Sequence, residues 1–144
     1  MKNTASMIAT AIAVSAMTLA LNAVGAPDSH LPATHRQGEV TYVMGGIGQT
    51  EVEAIKHVAR YYPLELEFLL KAKPRDEYLA DVKVRIKDAH DRMVLNVTAD
   101  GPFLLARMPA GKYTVSAERN HQIEHRQIEI SANEHRRVVF EWRS

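Results

Sequence analysis

From Glu39 onward, apolar and polar residues alternate in short runs, and the period of each run predicts its element. Val40, Tyr42 and Met44 alternate with Glu39, Thr41 and Val43, which predicts a strand that Gly45, Gly46 and Gly48 then end. Beyond the glycines the period becomes helical. Val52, Ile55, Val58, Ala59 and Tyr62 share one face, and Glu51, Glu53, Lys56, His57 and Arg60 cover the others. Thr50 and Glu53 have the spacing of a capping box, so the helix is expected to start there, and Pro63 to stop it. Leu64, Leu66 and Phe68 then alternate with Glu65, Glu67 and Leu69, so residues 39–70 read as strand, helix, strand.

The charged stretch Lys71 to Glu77, with Pro74, suits a surface loop, and everything after it reads as short strands. Ala80, Val82, Val84 and Ile86 alternate with Asp81, Lys83, Arg85 and Lys87, as expected of a sheet with one dry face. Further strands are expected around Met93, Leu95 and Val97, around Phe103 and Leu105, and around Tyr113, Val115 and Ala117, with Pro109-Ala-Gly111 reversing the chain before the last of these. Ile123 is out of phase with Ile128 and Ile130, which predicts a bulge or a late strand start near His125. Val138, Phe140 and Trp142 close the chain, Trp142 as a core anchor. Closely spaced strands without helical connections predict antiparallel pairing in a sandwich or barrel.

The N-terminal residues change the picture. Lys2, an apolar run from Met7 to Leu21, and small residues at Ala23, Gly25 and Ala26 have the layout of a bacterial secretory signal peptide over 1–26, interrupted by too many hydroxyl residues to read as a membrane span. Residues 27–38 are polar, with Pro27 and Pro32, and are expected to form a flexible leader. Residues 39–144 then make one domain, expected in the periplasm without a transmembrane anchor. Removing Lys2 takes the formal charge from +1 to zero, which gives no reason to expect nucleic acid as a partner. The chain has no cysteine, so packing and sheet hydrogen bonds must hold it, and thiol chemistry is excluded.

The segment Asp100 to Ala117, DGPFLLARMPAGKYTVSA, carries a resemblance to a known family. An apolar strand, Met108-Pro109-Ala110-Gly111, a basic residue and Tyr113-x-Val115 resemble the signature of carboxypeptidase regulatory-like domains, and the likeness extends over about 78–142. The first turn departs from that family, with Asp88-Ala-His-Asp-Arg92 where a glycine-containing turn is usual. The upstream block 42–68 is similar to the N-terminal half of small exported proteobacterial proteins that pair it with such a sandwich. The resemblance implies a mainly β fold: an antiparallel transthyretin-like β-sandwich with one N-terminal amphipathic α-helix. Within it, Phe103 and Tyr113 are expected to fill the core across a hairpin.

That family implies a non-catalytic binding or assembly module with an envelope protein or glycan as partner and no cofactor. Hydroxyisourate hydrolases share the fold, but they end in Tyr-Arg-Gly-Ser, whereas this chain ends Trp142-Arg-Ser144. Three sets of residues carry alternative chemistry. The GGIG glycines fit neither the dinucleotide nor the Walker spacing and are explained by a strand-to-helix turn. His121, His125 and His135 are candidate metal ligands if a hairpin brings them together, although no carboxylate or thiol stands at ligand spacing. Tyr61, Tyr62 and Tyr78 are the candidates for a carbohydrate platform on envelope glycans. The charged positions Asp81, Lys83, Arg85 and Lys87, with Glu124, Arg126, Arg137 and Glu141, read as a solvated face.

Overall fold

The computed structural model describes residues 30–144, so the stretch 1–26, expected to be a signal peptide, lies outside the described residues. Along the chain come β1 (His35–Gln37), β2 (Val40–Gly45), α1 (Gln49–Ala59), β3 (Leu64–Lys71), β4 (Glu77–Tyr78), β5 (Val82–Asp88), β6 (Met93–Ala99), β7 (Phe103–Arg107), β8 (Gly111–Arg119), β9 (Gln122–Ile130) and β10 (Arg136–Arg143). They form two sheets, one ordered β1-β2-β7-β3-β10 with β4 also on β3, the other β6-β5-β8-β9. The fold is a mainly β sandwich with one helix, as the alternation predicts.

Between the sheets lies a core in which Leu64, Leu66 and Phe68 meet Val82, Val84, Ile86, Val115 and Ala117. Phe68, Phe140 and Trp142 form an aromatic group, with the Phe68 centroid 6.1 Å from Phe140 and 6.5 Å from Trp142. The anchor expected at Trp142 is present, and its Nε1 points to the Gln122 carbonyl at 3.4 Å. The helix covers the other face of the first sheet, setting Ile55 and Ala59 on Val43, Phe103 and Leu105. With both faces dry, β7 buries Phe103, Leu104, Leu105 and Ala106 in succession, while β5 in the second sheet keeps strict alternation.

Several expectations are corrected. Phe103 belongs to the layer beneath the helix and Tyr113 to the inter-sheet core, because Met108–Ala110 does not close a hairpin but carries the chain from one sheet to the other. Pairing is not antiparallel throughout: β10 runs parallel to β3 from Arg136 opposite Leu64 to Arg143 opposite Lys71. The connection after β9 returns the chain to the end where β3 begins, and the Arg136 N–H donates to the Pro63 carbonyl at 2.9 Å. The leader is structured in part, since His35–Gln37 pairs antiparallel with β2.

The capping box is displaced as well. Gly48, at φ 86° and ψ 155°, is the N-cap, a conformation glycine enters without a Cβ penalty. Thr50 therefore already lies in the first turn and makes no capping bond; Glu51 reaches back instead, its Oε1 accepting the Gly46 N–H at 2.6 Å. Neither a bulge nor a late strand start occurs near His125: β9 begins at Gln122, and β8 and β9 stay in register from Gly111 opposite Ile130 to Arg119 opposite Gln122. Ile123 is out of phase because it faces solvent, 47% exposed. The register shift falls between Ile86 and Lys87, against β6.

Candidate functional site

The three tyrosines do not make one platform. Tyr61 and Tyr62 follow the helix and line a groove of about 400 Å³ with Arg107 and Asn133. Their rings are taken by cations: the Arg60 guanidinium lies 4.8 Å from the Tyr61 centroid and Arg107 lies 4.6 Å from that of Tyr62. Tyr78 sits opposite Leu69, five strand residues beyond Leu64 and thus roughly 17 Å along β3. It packs on Phe103 with centroids 5.3 Å apart, below Lys56 of the helix.

The three histidines are also dispersed. His121 occupies the β8–β9 turn at φ 64°. The His125 Nδ1 is 2.9 Å from Ser116 Oγ on the outer face of the second sheet. His135 belongs to the first sheet, with Nδ1 2.7 Å from the Tyr62 carbonyl and Nε2 2.8 Å from Glu65 Oε2. Because a carbonyl only accepts, Nδ1 donates to Tyr62, and the Nε2 edge of the ring is turned to the Glu65 carboxyl group. Among the described residues, no group of three or more His, Cys, Asp or Glu is placed to hold a metal ion.

His135 belongs to a cluster the sequence does not announce. Glu65 and Glu67 alternate with core residues and read as wet, yet they are only 6% and 5% exposed. Arg137, brought alongside by the parallel β3–β10 pairing, binds Glu67 through Nη2 and approaches Glu65 at 3.8 Å. The Glu67 carboxylate raises the Arg137 pKa further above its ordinary value. Two buried acids of β3 are thus met by the Arg137 guanidinium and the His135 ring, beside the parallel ladder that joins β10 to β3. The supposed solvated charge face therefore divides. Arg137 serves this cluster, Lys83, Arg85 and Lys87 face outward on β5, and Arg126 is in the inward phase, 5.4 Å from the Phe140 centroid.

The two long sides of the sandwich differ in how their backbone is used. On one side the Gln37 carboxamide bridges the sheets: its Nε2 donates to the Asn96 carbonyl at 3.1 Å, and its Oε1 accepts the Asn96 N–H at 3.0 Å. That amide occupies the middle of the β6 edge as a neighbouring strand would. On the other side stand β9 and β10, nine and eight residues long, each the last strand of its sheet. Among the described residues no strand pairs with the free flank of either. Such flanks are templates for an added strand.

A cleft of about 810 Å³ opens at one end of the sandwich, between the β1–β2 turn, the β5–β6 turn and the Pro109 crossover. Its wall includes Tyr113, whose hydroxyl donates to the Pro109 carbonyl at 2.6 Å. Burial, then the charges of Asp88 and Glu39, push the phenol pKa up, so the hydroxyl stays a donor. The rim mixes Glu39, Asp88, Arg92 and Lys112, which favours no single charge of ligand. Among the described residues, no helix is long and apolar enough to cross a membrane. A scan against protein-family models and a search of curated proteins return no match to this chain.

Proposed function

We propose that the protein is a non-catalytic binding or assembly module of the periplasm, exported on the signal peptide 1–26, and that it acts through the open side of its sandwich. The observation that carries this reading is the contrast between the sides: the Gln37 amide occupies the β6 edge, whereas among the described residues no strand pairs with the outer flanks of β9 and β10. On β9 the Arg126 guanidinium meets one backbone group of this edge, the His125 carbonyl, and the length of flank that remains supports strand addition by a partner. The resemblance of 78–142 to carboxypeptidase regulatory-like domains agrees with a binding role. A carbohydrate role on envelope glycans ranks second, because guanidinium groups occupy the faces that Tyr61 and Tyr62 would offer to a sugar.

The test is crosslinking in periplasm, comparing the wild-type chain with Gln127→Pro, which blocks the β9 flank. Protein adducts formed by the wild type and lost from the variant are expected. Adducts identical in both, or recovery of glycan fragments alone, would overturn the edge-binding role.

A further inference from the structure

We infer that the β9 flank binds the β9 flank of a second copy of this chain, antiparallel about a two-fold axis at His125, so that the two four-stranded sheets become one of eight. The inference rests on the open-side reading above and names its occupant. The two-residue turn Asn120–His121 sets Arg119 opposite Gln122, and this hairpin geometry directs the even-numbered backbone groups of β9 toward β8. The odd-numbered groups of Ile123, His125, Gln127 and Glu129 are left pointing outward. The Arg126 guanidinium donates to the His125 carbonyl at 2.9 Å, and so reaches one of these outward carbonyls.

Charge then selects the register. Self-pairing of an edge strand must place a residue opposite its own copy, so each register is defined by its central residue. Centring on Glu124 sets two carboxylates against each other, and centring on Arg126 does the same to two guanidiniums. Centring on Gln127 sets Arg126 against Ile128. Centring on His125 sets Glu124 opposite Arg126 twice, at the closely spaced positions of the ladder, with Ile123 opposite Gln127 on the outer face. Within one chain Arg126 and Glu124 are already 3.5 Å apart, so pairing joins two such couples into a ring of four alternating charges. The β10 flank offers less, because Arg137 is committed to Glu67 and Glu141 to Lys71 within their own sheet.

Sedimentation velocity of the purified full chain over a concentration series tests the inference, with far-ultraviolet circular dichroism to verify folding. The wild type should form a concentration-dependent dimer. Glu124→Arg and Arg126→Glu alone should each weaken it by at least about tenfold, since each puts like charges in both symmetry-related pairs. An equimolar mixture of the two variants should recover the dimer as a heterodimer, an outcome that mere destabilisation cannot produce. Gln127→Pro, which removes only an outward N–H, should be monomeric and folded. A wild type that stays monomeric up to about 1 mM, or a mixture no better associated than its components, would overturn self-pairing. In the crosslinking comparison self-adducts are told apart by their mass, at twice that of the chain, so only adducts with a different protein judge the module reading.

Discussion

Replacing Arg137 by Met should reveal how far the two buried glutamates depend on it. The substitution keeps an unbranched chain of similar reach and removes the charge. Glu67 then keeps a carboxylate that is 5% exposed and loses the guanidinium that binds it, while Glu65 retains His135. Breaking a fully buried ion pair costs about 3–5 kcal/mol, whereas an exposed pair is worth at most about 1 kcal/mol. The Arg137 side chain is 53% exposed, so water screens one partner and reaches the other poorly. An intermediate loss of about 2 kcal/mol follows, equivalent to roughly 6–12 °C in melting temperature for a domain of this size. The double variant Glu67→Met with Arg137→Met removes both charges and fills the same space, so it should regain most of that loss. Urea unfolding of the wild type, Arg137→Met and the double variant would supply the three free energies. A single variant within about 0.5 kcal/mol of wild type, or a double variant weaker than the single, would refute the pairing as the reason these acids are tolerated.

Gly101→Ala should destabilise by about 2 kcal/mol in thermal unfolding, because a Cβ there would lie 2.2 Å from the Gly45 carbonyl oxygen, a backbone atom that cannot turn aside. Trp142→Ala should cost about 3–5 kcal/mol in urea, since the ring is 2% exposed between Phe68 and Phe140. Phe103→Ala should cost a similar amount, with hydrogen exchange accelerated first along α1, which rests on that ring's layer. Asp88 is held below the usual carboxylate range by the Arg92 backbone N–H, then by the His90 N–H and the Arg92 guanidinium. Its contribution is present above the unfolded value of about 3.9 and is lost as pH falls through the lower folded value, so Asp88→Asn should flatten the acid limb of the stability profile there.

Alternation identified the strands best where one face is dry and the other wet. Val82, Val84 and Ile86 of β5, and Tyr113, Val115 and Ala117 of β8, are buried as their period predicts. The same rule misleads in β3, where Glu65 and Glu67 stand in the polar phase yet are shielded by residues about 70 positions later in the chain. Nothing local marks them, and only the parallel pairing with β10 brings Arg137 and His135 alongside. The Pro109-Ala-Gly111 turn was equally legible as a reversal, but a turn does not specify whether the chain returns to its own sheet or crosses to the facing one. Gly48 outranked Thr50 as the cap because the preceding glycines already set the entry of the chain. Three residues of β1 are too few for a period, although the one that matters there, Gln37, acts through its side chain.

The arrangement of the sheets is consistent with the proposal that recognition falls to the second one. The first sheet is enclosed by the core on one face and by the helix and the acid cluster on the other, so most changes along its strands disturb packing or leave a buried charge unmatched. The second sheet has a solvated outer face and ends in β9, where the positions flanking His125 can change without opening a cavity. A surface free to vary must adjoin backbone that is held in place, and the unbroken register of β8 against β9 supplies it. Loss of that register would flip Glu124 and Arg126 to the outer face and remove both charge pairs at once. A one-residue insertion in β9 should therefore abolish self-association, while an insertion in the outlying Ser131–Glu134 turn should leave it intact, and the two insertions separate edge recognition from general loss of fold.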